Sequence, residues 1–191
     1  LVATSFDEAR GVPTMPVGRR ALARRDVRRP VDRALAHLGE LAGLYGVTRR
    51  DLDTLELRLV RATPSGGALV IFGQRAHGVE VFETRLSLLL DGRGALVAAG
   101  GQLRPTPASV RFPRDHRSGA PVALADRLGP DVDPSGLTWS NTGRDGYQRW
   151  AHPALDRMAR AARVLYPLPD RLVPAHYVEL WARGELVAFL D

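Results

Sequence analysis

The chain contains no cysteine and no lysine. Without cysteine it can form neither a disulfide framework nor a thiolate metal site. Without lysine it cannot carry a Ser–Lys pair or the lysine of a phosphate-binding P-loop. All 27 basic residues are therefore arginine, against 21 acidic ones, for a net charge of +6 and a pI near 10.8. Exclusive use of Arg is what GC-rich codons produce, so the excess carries little functional weight by itself. Phe, Tyr and Trp make up only 6% of residues. No apolar run is long enough to span a bilayer. What remains is ordinary for globular protein: 191 residues, 45% hydrophobic and 25% charged, enough for one domain or two small ones.

Residues 1–29 read as an arm, with Arg10, Arg19, Arg20, Arg24, Arg25, Arg28 and Arg29 clustered among the breakers Pro13, Pro16 and Pro30. A helix is predicted over 30–45, where Val31, Leu35, Leu38, Ala42 and Tyr45 form one stripe. Gly46 can take the left-handed position that ends it. Thr48-Arg49-Arg50-Asp51 is a capping-box pattern, which predicts a short helix from Arg49. A strand is predicted over 55–60, and Pro64-Ser65-Gly66-Gly67 turns the chain. Three apolar runs then follow, 68–75, 79–90 and 95–99, split by turns at His77-Gly78 and Asp91-Gly92. That order is an antiparallel meander, and a helix lying across such a sheet buries both apolar surfaces. The first unit is placed at 30–103. Residues 104–118, rich in Pro and Arg, read as a linker. In a second unit, 119–191, helices are predicted at 121–128 and 152–163, the latter from Leu155, Met158, Ala159 and Ala162 with Pro153 in its first turn. A loop is expected over 131–145 and strands over 164–168, 172–183 and 186–190.

Catalytic patterns are thin. The histidines His37, His77, His116, His152 and His176 are widely separated, and none has a partner one helical turn away as a zinc-protease helix requires. His37 with Glu40 reads as a solvated helix face. No nucleophile elbow is present. Asp51 with Asp53, and Asp131 with Asp133, fit caps and turns better than acid–base pairs. Gly66-Gly67 and Gly92-Arg93-Gly94 read as hairpin turns. Gln74 is expected to bond the hairpin backbone at His77-Gly78, and Phe82 to enter the core. Tyr166, Tyr177, Glu179 and Trp181 are candidates for a partner-facing surface. No aromatic is interleaved with Arg in the arm, which weighs against stacking on nucleic acid.

The order Gln74, a short spacer, Gly78, then Val81-Phe82, a long strand and an Asp-Gly turn resembles the N-terminal propeptide of secreted thermolysin- and fungalysin-type zinc metallopeptidases. Phe6-Asp7 followed by Arg10-Gly11-Val12-Pro13-Thr14 is similar to the opening of bacterial fungalysin-like precursors. Val164-Leu165-Tyr166-Pro167, with Tyr177-Val178-Glu179-Leu180-Trp181, is similar to the PepSY-like second half of those propeptides. Residues 117–150 fit poorly, and Glu80 and Glu83 stand where the family shows small, Pro or Gly residues.

The resemblance implies an α+β fold: a cystatin-like unit (FTP) with its helix on an antiparallel sheet, then a smaller PepSY-like α+β unit. It implies a non-catalytic chain acting as intramolecular chaperone and inhibitor until proteolysis removes it. The partner would be the cognate catalytic domain, which alone would hold zinc. No cofactor, small-molecule substrate, nucleic acid or membrane is expected for the chain itself. The family implies secretion, with a leader trimmed ahead of Leu1. The alternatives are a stand-alone peptidase inhibitor or protein-binding module, then an Arg-rich nucleic-acid binder, and last an unrecognised hydrolase.

Overall fold

The computed structural model describes residues 2–3, 6–8, 12–13, 16–17, 29–112, 126, 133–143, 146–182 and 184–190. The chain is a mixed α+β protein dominated by antiparallel strands, divided into two compact units. Unit 1 comprises Leu1–Ala108 with Pro167–Leu172, and unit 2 Ser109–Tyr166 with Val173–Asp191. No helix among the described residues is long and apolar enough to cross a membrane.

Unit 1 is built on the helix α1, Pro30–Leu41. Pro30 starts it where a missing N–H costs nothing, and Asp32 complements the positive end of the helix dipole. Ala34, His37, Leu38 and Leu41 line its buried stripe. A 3-10 turn, Ala42–Tyr45, continues it until Gly46, at φ 65, reverses the chain. The short helix α2, Arg49–Leu52, follows, capped by Thr48 and Asp51.

The arm contributes four two-residue strands: β1 Val2–Ala3, β2 Phe6–Asp7, β3 Val12–Pro13 and β4 Pro16–Val17. After α2 come β5 Leu55–Ala62, β6 Ala68–Ala76, β7 Val79–Val81, β8 Leu86–Leu90 and β9 Leu96–Gly101. The sheet order is β5-β6-β8-β9-β4-β1, with β7 on the far end of β6 and β2–β3 a separate pair. The core lies between α1 and this sheet. Ala34, Leu38, Leu41 and Tyr45 meet Val70, Phe72, Leu86, Leu88, Leu90 and Leu96.

The long strand expected over 79–90 is two strands. Arg75 stands opposite Glu80, and continuing that register would put residue 83 opposite Phe72. Leu86 stands there instead, so three residues are looped out in a turn in which Glu83 takes φ 52. The turn keeps Leu86, Leu88 and Leu90 on the helix-bearing face, where a one-residue slip would expose them.

Unit 2 is, among its described residues, mostly strand. β10 Thr138–Thr142, β11 Gln148–Ala151, β12 Arg157–Pro167, β13 Leu172–Ala182 and β14 Glu185–Leu190 pair in sequence order. Two expectations are corrected here. The helix over 152–163 is instead the approach to β12 and its first half. The stripe of Leu155, Met158, Ala159 and Ala162 mimics a helix, but Ala and Arg propensities are weak beside a paired strand. As a strand, Ala159 and Ala161 bury against Trp150, Val178 and Leu180. The loop over 131–145 contains a 3-10 turn, Pro134–Gly136, and then β10, whose Thr and Trp suit a strand. The helix expected at 121–128 lies outside the described residues, apart from Asp126.

Candidate functional site

In unit 1 the motif glutamine is fully buried. Gln74 does not bond the hairpin at His77-Gly78. Its Nε2 donates to the Thr54 hydroxyl at 3.2 Å and to the Arg104 carbonyl at 2.6 Å. Its Oε1 accepts from the Arg104 N–H at 3.1 Å. The side-chain amide thus acts as one peptide unit of a missing strand and fixes the segment 102–107, part of which was expected as linker. The hairpin backbone is tied by Arg75 instead, which donates to the Gly78 carbonyl at 2.9 Å. His77 and Gly78, at φ 51 and 77, make its tight turn. Val81 is buried, and Phe82 is only half-buried, so it is not a core residue.

Two further ties hold the same segment. Asp51 is buried, and its Oδ1 accepts from both the N–H and the hydroxyl of Thr106, at 2.7 and 2.6 Å. Its Oδ2 accepts from the N–H and hydroxyl of Thr48, both at 2.7 Å. Burial pushes this carboxyl up, and the four donors overcome it, leaving it below its ordinary value. His77 donates from Nε2 to the Pro107 carbonyl at 2.8 Å, since a carbonyl can only accept. Beside these ties lies a cleft of about 300 Å³ lined by Arg50, Asp53, Thr54, Ala76, His77, Thr106 and Pro107. His37 is not on a solvated face: it is buried and bonded to the Gly94 carbonyl at 3.0 Å. Among the described residues, no group of three His, Asp or Glu side chains could hold a metal ion.

Unit 2 carries the other candidate. Arg149 stands opposite Arg160, while their neighbours Gln148 and Ala161 face the buried side. Alternation along β13 puts Tyr177, Glu179 and Trp181 opposite in sense to the buried Val178 and Leu180. Glu179 is only 8% exposed, yet its charge is matched. Arg160 Nε and Nη2 donate to its two oxygens at 2.6 and 3.0 Å, a forked ion pair. The Tyr177 hydroxyl also bonds it. Burial raises the Glu179 carboxyl, and the Arg160 fork with the Tyr177 hydroxyl brings it below the ordinary value. The same burial and the adjacent carboxylate push the Tyr177 phenol up to about 12.

Aromatic contacts extend this cluster. The Arg160 guanidinium lies 4.9 Å from the centre of the Tyr147 ring, and Tyr147 meets Tyr177 edge to face at 6.3 Å. Arg157 lies 5.0 Å over Trp181, and Arg163 lies 4.7 Å over Phe112. Arg160 with Tyr147, Tyr177 and Glu179 forms an Arg-aromatic surface, while Arg157 and Arg163, three residues to either side on β12, fall on the other alternation of the strand and each meet a ring of their own. Such a surface is suited to recognition: Arg and aromatic side chains supply large contact area with directed donors. Three donors hold the Glu179 carboxylate, two from the Arg160 fork and one from the Tyr177 hydroxyl.

Of the four residues read as partner-facing, the structure brings three together, Tyr177, Glu179 and Trp181. Tyr166, 37% exposed, lies six residues along β12 from Arg160, roughly 20 Å at strand spacing. Sequence reading missed Arg160 and Arg157 because 152–163 was taken as a helix, and Tyr147 because no element was assigned to the segment before that helix. The signal was available in Glu179: an acid on the same strand as buried apolar neighbours needs a cation, and the chain offers only Arg. Compared with models of known protein families and with curated proteins, the chain gives no match.

Proposed function

We propose that this chain is the non-catalytic propeptide region of a secreted fungalysin-like zinc metallopeptidase, serving as intramolecular chaperone and inhibitor of the catalytic domain. The observation that carries the reading is Gln74. The residue that leads the propeptide-like motif is the one that fastens the segment after β9 onto a helix-on-sheet unit. The α1-on-sheet unit is the part we assign to the FTP type. The second unit is the weaker part of the likeness, since residues 157–163 are strand.

In this reading zinc belongs to the catalytic domain, and this chain supplies surface and charge. A tethered partner acts at high effective concentration, so a moderate interface keeps the enzyme closed until the tether is cut. A chain of net charge +6 would be steered to an acidic peptidase surface. The Arg160, Tyr147, Tyr177 and Trp181 face is the contact we assign in unit 2. That same face supports a second reading, a stand-alone protein-binding module, because its Arg-aromatic make-up fits a protein partner whether or not a peptidase is attached.

Refolding tests the chaperone role. A denatured fungalysin-type catalytic domain is refolded with and without this chain, and recovered peptidase activity is measured. A higher yield with the chain, reduced by R160A/W181A, is expected. Equal yields would count against the proposal.

A further inference from the structure

The outer edge of β5 carries no strand among the described residues, where β5 pairs only with β6. It exposes three large aliphatic side chains, Leu57 at 46%, Leu59 at 43% and Val60 at 41%. Proteins usually blunt such an edge, because its unpaired N–H and C=O groups template another strand. We propose that β5 pairs antiparallel with β5 of a second copy of this chain, about a two-fold axis passing between Arg58 and Leu59.

The register of β5 on β6 carries the argument. Leu57 stands opposite Phe72, Leu59 opposite Ile71 and Val60 opposite Val70, with an irregularity between Leu57 and Leu59. Phe72 and Val70 are two residues apart, so they share a face and a hydrogen-bonding direction. Leu57 and Val60 therefore share them too, although they are three apart. By the same count Glu56, opposite Gly73, is in phase with Arg61, opposite Leu69. In an unbulged strand, residues three apart point to opposite faces, and an axis between two residues would set unlike faces against each other. The bulge at Arg58 removes that conflict.

With the axis there, Leu57 meets the partner's Val60, and Leu55 meets the partner's Ala62. On the other face Glu56 meets the partner's Arg61. Each contact occurs twice by symmetry. Next to the axis Arg58 meets the partner's Leu59; in the pairs beyond it apolar side chains meet apolar ones, and acid meets base. Glu56 is already held by Arg58 and Arg75, both at 3.3 Å, while Arg61 is exposed and makes no ion pair among the described residues. This self-complementarity in one register is why the occupant is a second copy and not an unrelated peptide. The inference is independent of the propeptide reading.

The test is sedimentation velocity of the full chain over a wide concentration range, with charge reversals on β5. The wild type is expected to show a reversible dimer. E56R and R61E, each placing two like-charge contacts at the interface, should weaken it about tenfold or more. The double variant E56R/R61E should restore it. Mixing the two single variants should give a heterodimer, since each supplies the charge the other lacks. Far-UV circular dichroism checks that every variant is folded. A wild type that stays monomeric throughout overturns the proposal. So does a dimer indifferent to the single reversals or not rescued by the double one.

Discussion

Glu179 is charged because of what surrounds it. Burial alone would raise its pKa, and the Arg160 fork and the Tyr177 hydroxyl reverse the shift. Its folded pKa lies below the unfolded value. The stability it contributes is therefore present above about pH 4.3 and is lost as pH falls through the folded value. Arg160→Ala should raise the Glu179 pKa, visible in a carboxyl NMR titration. The Arg160 side chain is 44% exposed, so solvent screens the pair. The expected loss in urea unfolding at pH 7 is about 1–2 kcal/mol, below the roughly 3–5 of a fully buried pair. An unmoved titration would mean that Arg160 does not hold the carboxylate.

Tyr177 titrates the other way. Its raised pKa stabilises the fold fully below the unfolded value near 10, a contribution lost as pH rises through about 12. Absorbance titration of the folded chain should show two late-ionising phenols, the buried Tyr45 and Tyr177, of which Tyr177→Phe removes one. Asp51 makes no ion pair among the described residues and rests on four donors from Thr48 and Thr106. Asp51→Ala strands those donors and should cost about 2–3 kcal/mol, read from denaturant midpoints. A loss near zero would show that Thr48 and Thr106 are satisfied by water.

At the scale of elements, two glycines show how backbone geometry limits the sequence. Gly46 ends the α1 extension at φ 65, and Gly46→Ala should cost about 1–2 kcal/mol in thermal or urea unfolding. Gly101 takes φ 117, and a Cβ there would overlap the Arg85 carbonyl oxygen. Gly101→Ala should therefore cost more than Gly46→Ala, and the reverse order would contradict the β8–β9 register.

Elements with local signals were legible. Pro30, the 31–45 stripe, Gly46 and the Thr48–Asp51 box gave the helices, and the Gly-bearing turns gave the β6–β9 hairpins. Elements decided by distant partners were not. Arg157 to Ala162 carries a helical stripe but becomes strand where β11 and β13 flank it. The break at 82–85 depends on β6 serving both β7 and β8. Of the candidate site, the residues on β13 could be picked out, but their cation could not, because it lies on the misread strand.

For the whole molecule, the role we propose is that this basic, two-unit chain inhibits a zinc peptidase by covering its substrate cleft. Charge steering makes the association sensitive to salt, since a Debye length falls from about 10 Å at 0.1 M to about 3 Å at 1 M. The most direct measurement is steady-state substrate cleavage by a fungalysin-type catalytic domain as this chain is titrated in, repeated at rising salt. Saturable inhibition that weakens as salt increases is the expected result. Undiminished cleavage at saturating chain in low salt, for the cognate catalytic domain, would contradict it.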